Sequence, residues 1–219
     1  MAGIFGAVSK QGNCAESLYY GIDYHSHLGT DYAGMAVFGE KGIERKIHDI
    51  RGENFRPKFQ HDFPRMKGKY GIGVIGYDIQ PVLLASRHGV FSIVMNGNVA
   101  NLDEIVAELQ SQGATFAEIQ PDSSISPAEV MAELISRAPN LEAGIESIFE
   151  RIKGSVSLLV LTRDGIFAAK SGIRTWFENL QKAIKAIAAY KPAAAAPAER
   201  LPDTATSYGN LVVLGVVLM

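Results

Sequence analysis

The stretch from residue 155 to residue 170 limits the fold more than any other. Residues 155–162 (SVSLLVLT) and 166–170 (IFAAK) are apolar, β-prone runs on either side of Asp164-Gly165. That dipeptide suits the positive φ angles of a tight hairpin turn. Residues 82–86 and 90–95 form a second such pair across Arg87-His88-Gly89. Strands joined by hairpins run antiparallel, so an all-parallel, doubly wound sheet is excluded.

Further strand-like runs lie at residues 2–9, 35–38, 43–47, 71–77 and, more briefly, 115–119. The first holds two glycines in an apolar context and reads as a buried strand at the N-terminus, where free ends usually fray. Asn13, with Glu16 three residues later, reads as a capping box for a helix reaching about Ser26, with Leu18, Tyr19 and Ile22 as its buried stripe. Asn101 and Glu104 repeat that signal before Leu102, Ile105, Val106 and Leu109, and Gly113 stops the helix. Asn96-Gly97-Asn98 ends the strand before it. Ser126-Pro127 opens a third helix, and residues 141–153 form a fourth after Asn140. Residues 51–69, interrupted by Pro57 and Pro64, have no clean period and are expected to be irregular surface with at most one short helix. With helices grouped rather than alternating with strands, an α+β layered architecture follows.

Past Ser171 the composition changes. Residues 176–190 (WFENLQKAIKAIAAY) are strong helix formers in which Trp176 and Phe177 serve packing, residues 191–197 are an Ala/Pro linker, and residues 211–219 are a β-prone apolar end. The chain therefore divides into residues 1–175 and an appendage, residues 176–219, whose final segment could complete a sheet edge.

A net charge of −2 gives no electrostatic case for nucleic acid or an acidic membrane surface. The nine apolar residues at the end are too short to span a bilayer as a helix, and no basic segment precedes the first apolar run. One cysteine, Cys14, excludes an intrachain disulfide and makes a cytoplasmic location the default. No cofactor or metal is called for. His25 and His27 form a His-x-His pair, but no third ligand stands nearby, so a hydrogen-bonded loop pair is the expectation.

Gly3-Ile4-Phe5-Gly6, the run His27-Leu28-Gly29-Thr30-Asp31-Tyr32-Ala33-Gly34, the strand ending Ile75-Gly76-Tyr77 and the segment Met95-Asn96-Gly97-Asn98 occur in an order that resembles the class II, N-terminal nucleophile glutamine amidotransferases. The closest flavour is the glutaminase domain of the amidophosphoribosyltransferases of purine biosynthesis. The resemblance covers about the first 175 residues and implies a four-layer αββα sandwich of two mainly antiparallel sheets. It also implies hydrolysis of glutamine by an N-terminal cysteine, whose free α-amine acts as base. Ammonia then passes to a phosphoribosyltransferase or other synthase partner. The phosphoribosyl-binding half is absent here. A homo-oligomer is compatible with the family.

Carried over residue by residue, the match is uneven. Ala2 stands at the nucleophile position, Leu28 where the loop's arginine is expected, and Gly76 where an arginine grips the glutamine carboxylate. His27 and Gly29 of the loop are kept. Asn96 and Gly97 match the oxyanion turn, although Asn-Gly is also an ordinary β-turn dipeptide. Asp122 is the nearest match to the amine-binding aspartate, although Asp before two serines is also a common turn former. Neither Ser9, roughly 23 Å along an extended strand, nor Cys14, at a helix start, is an evident substitute nucleophile. A small buried thiol is the ordinary reading of Cys14. Three readings follow: a disabled glutaminase, a non-catalytic binding or regulatory module in which loss of the arginine at Gly76 leaves glutamine binding weak or absent, and a designed or recombined chain.

Overall fold

Alternating apolar residues give this chain two sheets, each with one face toward the other and one toward helices. The computed structural model describes residues 3–10, 12–26 and 30–171. Ala2, His27, Leu28 and Gly29 lie outside the described residues, as do the expected helix, linker and terminal strand beyond Ser171. The elements are β1 (Gly3–Val8), α1 (Ala15–His25), β2 (Tyr32–Gly39), β3 (Gly42–Asp49), α2 (Phe55–Phe59), β4 (Tyr70–Gly76), β5 (Val82–Ser86), β6 (Gly89–Val99), α3 (Leu102–Ser111), α4 (Pro127–Arg137), α5 (Leu141–Arg151), β7 (Gly154–Thr162) and β8 (Gly165–Lys170).

Four strands form one sheet in the order β1-β4-β2-β3, and four form the other in the order β5-β6-β7-β8. Every pairing is antiparallel. Ile4, Ala36, Ile72 and Val74 of the first sheet meet Val94, Leu159, Leu161 and Ile166 of the second in a shared middle layer. The opposite face of the first sheet, with Phe5, Met35, Val37 and Ile75, packs under Leu18 and Ile22 of α1 and under Phe55 and Phe59 of α2. Phe91, Ile93, Leu158 and Val160 of the second sheet pack under Ile105 and Leu109 of α3, Met131 and Ile135 of α4 and Ile148 of α5. The result is the αββα order of layers.

Several local expectations are corrected. Residues 51–69 are not merely surface: Phe55, Phe59 and Met66 are fully buried, and Phe63 stacks on Tyr19 with ring centroids 4.3 Å apart. Residues 115–119 make no strand beyond an isolated bridge between Ile119 and Ile125. Their amides are committed elsewhere, since the buried Glu129 carboxylate accepts Ala117 N–H and Glu118 N–H at 2.8 and 3.0 Å. Asn13 accepts from Ala15 and Gly68 amides, and the cap position of α1 falls on Cys14. Asn101 makes no side-chain cap bond. It instead donates to Arg151 O at 2.9 Å and accepts Lys153 N–H at 2.7 Å, fastening the start of α3 to the end of α5. Asn140 does cap α5, accepting from Ala143 N–H at 2.8 Å.

Candidate functional site

One end of the first sheet brings three segments together. Gly3 pairs with Ile75, and Tyr32 pairs with both Gly76 and Asp49. Gly76 O accepts Asp31 N–H at 3.1 Å, so β4 stays hydrogen-bonded to its last residue. Beyond Gly76 the chain leaves the sheet as a loop, residues 77–81, that lies against β6. Gln80 fixes it there by acting as a strand would: its Oε1 accepts Met95 N–H at 2.7 Å and its Nε2 donates to Met95 O at 3.1 Å. Gly34 of β2 makes room for this loop, because a Cβ there would stand 1.9 Å from Gln80 O.

The residue after Met95 is the half-buried Asn96. The Asn96–Asn98 segment is not a turn and does not end the strand, which corrects both sequence readings of its backbone. It continues β6, with Asn96 opposite Ser157 and Gly97 opposite Val156 of β7. Gly97 has φ of +145°, and a Cβ at this position would lie 2.0 Å from Ser155 O. The strand therefore carries at Gly97 an exposed main chain that only glycine accommodates.

Asp122 is exposed in a tight turn, where its Oδ1 accepts from Ser124 N–H at 3.0 Å and Ser124 Oγ–H at 2.6 Å. These bonds hold its carboxyl below the usual aspartate range. The non-glycine Ser123 takes φ of +70° in the same turn. The turn is tied to the loop after Gly76, since Gln120 Oε1 accepts Ile79 N–H at 2.8 Å. Asp78, half-buried in that loop, is pushed above the ordinary aspartate value by burial and by the neighbouring Asp122 carboxylate. Arg45 crosses beneath from β3, donating to Pro81 O at 2.9 Å and Glu118 Oε1 at 2.7 Å.

The loop after β4 thus starts at Gly76, is held against Met95, the neighbour of Asn96, and is tied through Gln120 to the turn that carries Asp122. It adds Asp78, Gln80 and Gln120, which no motif or period in the sequence marks. His25, half-buried at the end of α1, lies over Gly3: a Cβ on Gly3 would be 3.1 Å from its Cγ. Cys14 is elsewhere, under α1 with Leu18. Burial pushes its thiol up to about 12, so its helix-start position does not activate it. Ser9 is buried just past the opposite end of β1, its amide bonded to Lys69 O. Much of the basic stretch is ion-paired, with Arg51 on Asp49, Arg56 on Asp23 and Lys58 on Glu53. A separate cleft of about 660 Å³ opens beside Asp31, between Thr30, Arg51 and Asn54. Among the described residues no group of three His, Cys, Asp or Glu side chains is placed to hold a metal ion. No described helix is long and apolar enough to cross a membrane.

Two antiparallel sheets packed face to face between helical layers, with the N-terminal strand meeting the end of β4, define the N-terminal nucleophile hydrolase fold. Residues 71–183, more than half of the chain, match the glutamine amidotransferase domain family, and the chain belongs to it. It is similar to the amidophosphoribosyltransferase of Methanocaldococcus jannaschii, 29% identical over 182 residues that cover 78% of this chain and 37% of that protein. The Bacillus subtilis amidophosphoribosyltransferase is 28% identical over 180 residues, covering 76% of this chain and 36% of that one. Among solved structures, the B. subtilis glutamine phosphoribosylpyrophosphate amidotransferase complexed with ADP and GMP superposes with a TM-score of 0.67 at 25% identity, over 77% of this chain and 37% of its own. The chain spans a little over a third of the length of these relatives.

Proposed function

We propose that this chain is a glutaminase-type domain of the amidophosphoribosyltransferase kind, without activity because residue 2 is alanine. In such a domain the first side chain of the mature protein attacks the glutamine amide carbon, and its α-amine takes the proton. Donors at Asn96 and Gly97 stabilise the tetrahedral oxyanion, and the ammonia released goes to a phosphoribosyltransferase partner in purine biosynthesis. A methyl side chain at residue 2 has no atom with which to attack.

The observation that carries this reading is the placing of Asn96 and Gly97. They sit on a continuous strand rather than in a mobile turn, beside the loop that leaves Gly76. Gly97 is exposed on this strand, so a ligand could approach its main chain closely.

The test is Ala2→Cys in the full chain, with removal of Met1 verified by mass spectrometry. Glutamate released from L-glutamine, absent with Ala2, is the expected result. No glutamate from a correctly processed, folded variant would sink the reading.

A second reading is a non-catalytic module on the same scaffold. Leu28 and Gly76 favour it, since replacing the nucleophile alone would leave both arginines of the family pattern in place. Without the arginine expected at Gly76, the substrate's α-carboxylate lacks its charge-assisted, bidentate partner. L-Glutamine should then bind more weakly than about 1 mM in calorimetry, and a tighter value would contradict this second reading.

A further inference from the structure

We propose that the free edge of β5 is an interaction surface for a second copy of this chain, which adds its own β5 antiparallel and joins two four-stranded sheets into a single continuous one.

The sheets end at β1, β3, β5 and β8. β1 follows, and β8 leads toward, residues outside the described ones. β3 carries Glu44, Arg45, Lys46, His48 and Asp49, and charge along an edge strand opposes the addition of another. β5 differs from all three. Its sequence, Val82-Leu83-Leu84-Ala85-Ser86, holds no charge, glycine or proline, and described residues flank it on both sides. Its main-chain bonds run to β6, in the ladder and from Ser92 Oγ to Val82 O at 2.9 Å. Alternate residues of such a strand turn N–H and C=O to the open side, where they form a template for a further strand.

An apolar face adjoins this edge. Val90 pairs with Ala85, and Leu83 lies two residues along, so the three share one face of the sheet. Farther along β6 the same face carries Val94 into the middle layer between the sheets. At the β5 end that cover stops, and Val90 and Leu83 are 49% and 36% exposed.

The chemistry of the edge selects a copy of itself. An uncharged strand offers no electrostatic basis for choosing a different chain. An antiparallel pair centred on Leu84 matches every residue of β5 with one from the second copy, Leu83 opposite Ala85 and Val82 opposite Ser86. The two-fold axis of that pairing is normal to the sheet, so faces are preserved and the two exposed apolar faces merge. Val90 and Ala85 of one copy then continue into Leu83 of the other, an apolar cross-strand row repeated on both sides of the axis. The contact is isologous and closes at two chains. So short an edge falls at the small end of specific interfaces, which places the association in the micromolar range.

Sedimentation of the full chain from about 5 to 200 μM tests this, with hydrogen–deuterium exchange at both ends of that range. The weight-average mass should rise from one chain toward two. Amides of residues 82–86 should exchange at least about fivefold more slowly at the high concentration, with those of β3 unchanged. Leu83→Lys, at a position already open to water, sets two like charges diagonally across the axis. It should weaken association at least about thirtyfold while keeping the parent's dichroism spectrum. A single chain mass throughout, association with the β5 amides unmoved, or dimers that persist in folded Leu83→Lys would overturn the proposal. β5 amides protected equally at every concentration would show the edge closed by a segment of the same chain, and would overturn it as well. Should the variant not fold, mass and exchange of the parent still decide.

Discussion

At Gly97 a side chain would have to occupy the space of Ser155 O, and the backbone φ of +145° is one that L side chains rarely adopt. Relaxing that clash means opening the β6–β7 ladder at the residue beside Asn96. Gly97→Ala should therefore destabilise the chain by about 3 kcal/mol in urea titration, and a loss under about 1 kcal/mol would show that the ladder yields there. Cys14 illustrates the opposite case, a reactive group silenced by its surroundings. With its thiol pushed up to about 12, almost none is thiolate at pH 8. Native protein should react with a disulfide reagent at least about a hundredfold more slowly than urea-unfolded protein, and comparable rates would contradict its burial. In the folded chain, burial and the neighbouring Asp122 carboxylate hold Asp78 above the ordinary aspartate value. Below the unfolded value both states hold the neutral acid and nothing is lost. As pH rises through the folded value, the native chain acquires a half-buried charge beside Asp122, and that stability is lost. Asp78→Asn should accordingly melt higher than the parent at pH 7, with the difference fading below pH 4.

Between elements, side chains reach for main-chain groups in ways that periodicity does not encode. Asn101 precedes a helix, which made it look like a cap, yet it spends both ends of its amide on the residues leaving α5. The two roles are separable by mutation. Aspartate is as good a cap as asparagine, but it cannot donate to Arg151 O. If the clamp is what matters, Asn101→Asp should be as damaging as Asn101→Ala, about 2 kcal/mol each by thermal or chemical melting; an undamaged Asp variant would restore the cap reading. The same distinction explains what was legible in the sequence. Hairpins and amphipathic helices follow from local alternation and turn chemistry, so β5–β6, β7–β8, α4 and α5 could be read to within a few residues. Asn96–Asn98 could not, because Asn-Gly is locally a turn signal and only pairing with β7 keeps it extended. Residues 115–119 failed for the converse reason: a β-prone pattern lost its amides to Glu129, a residue of the helix that follows. Phe55, Phe59 and Met66 were hidden by two prolines and a run of charge, though three large apolar side chains in so short a span had to go somewhere. The candidate site draws on two kinds of signal. Asn96, Gly97 and Asp122 came from motif order, whereas Gln80 and Gln120 act through contacts 15 and 41 residues apart in sequence.

For the whole molecule, the arrangement of buried side chains decides how the two sheets depend on each other. The outer layers could each belong to an independent sheet-and-helix unit, since α1 and α2 pack only on one sheet and α3 to α5 on the other. The middle layer denies them that independence. Among the described residues Ile4, Ile72 and Val74 are buried in one cluster with Val94, Leu159, Leu161 and Ile166 of the other sheet, so separating the sheets would expose an apolar face of each to water. The site shares this dependence, because β4 ends at Gly76 in one sheet while Asn96 and Gly97 belong to the other, and Gln80 spans the two. Leu159, 1% exposed on the central strand β7, is the place to test the coupling. Leu159→Ala should cost about 2–5 kcal/mol, from lost burial and from the cavity it leaves. The loss should appear as a shift of one transition in which far-ultraviolet dichroism and tyrosine fluorescence coincide. Tyr32 and Tyr70 report on the first sheet, whereas the mutation is in the second. If the tyrosine signal kept its parental midpoint while the dichroism shifted, the sheets would be separate folding units, and a site built across their junction would need a bound ligand or partner to hold it together.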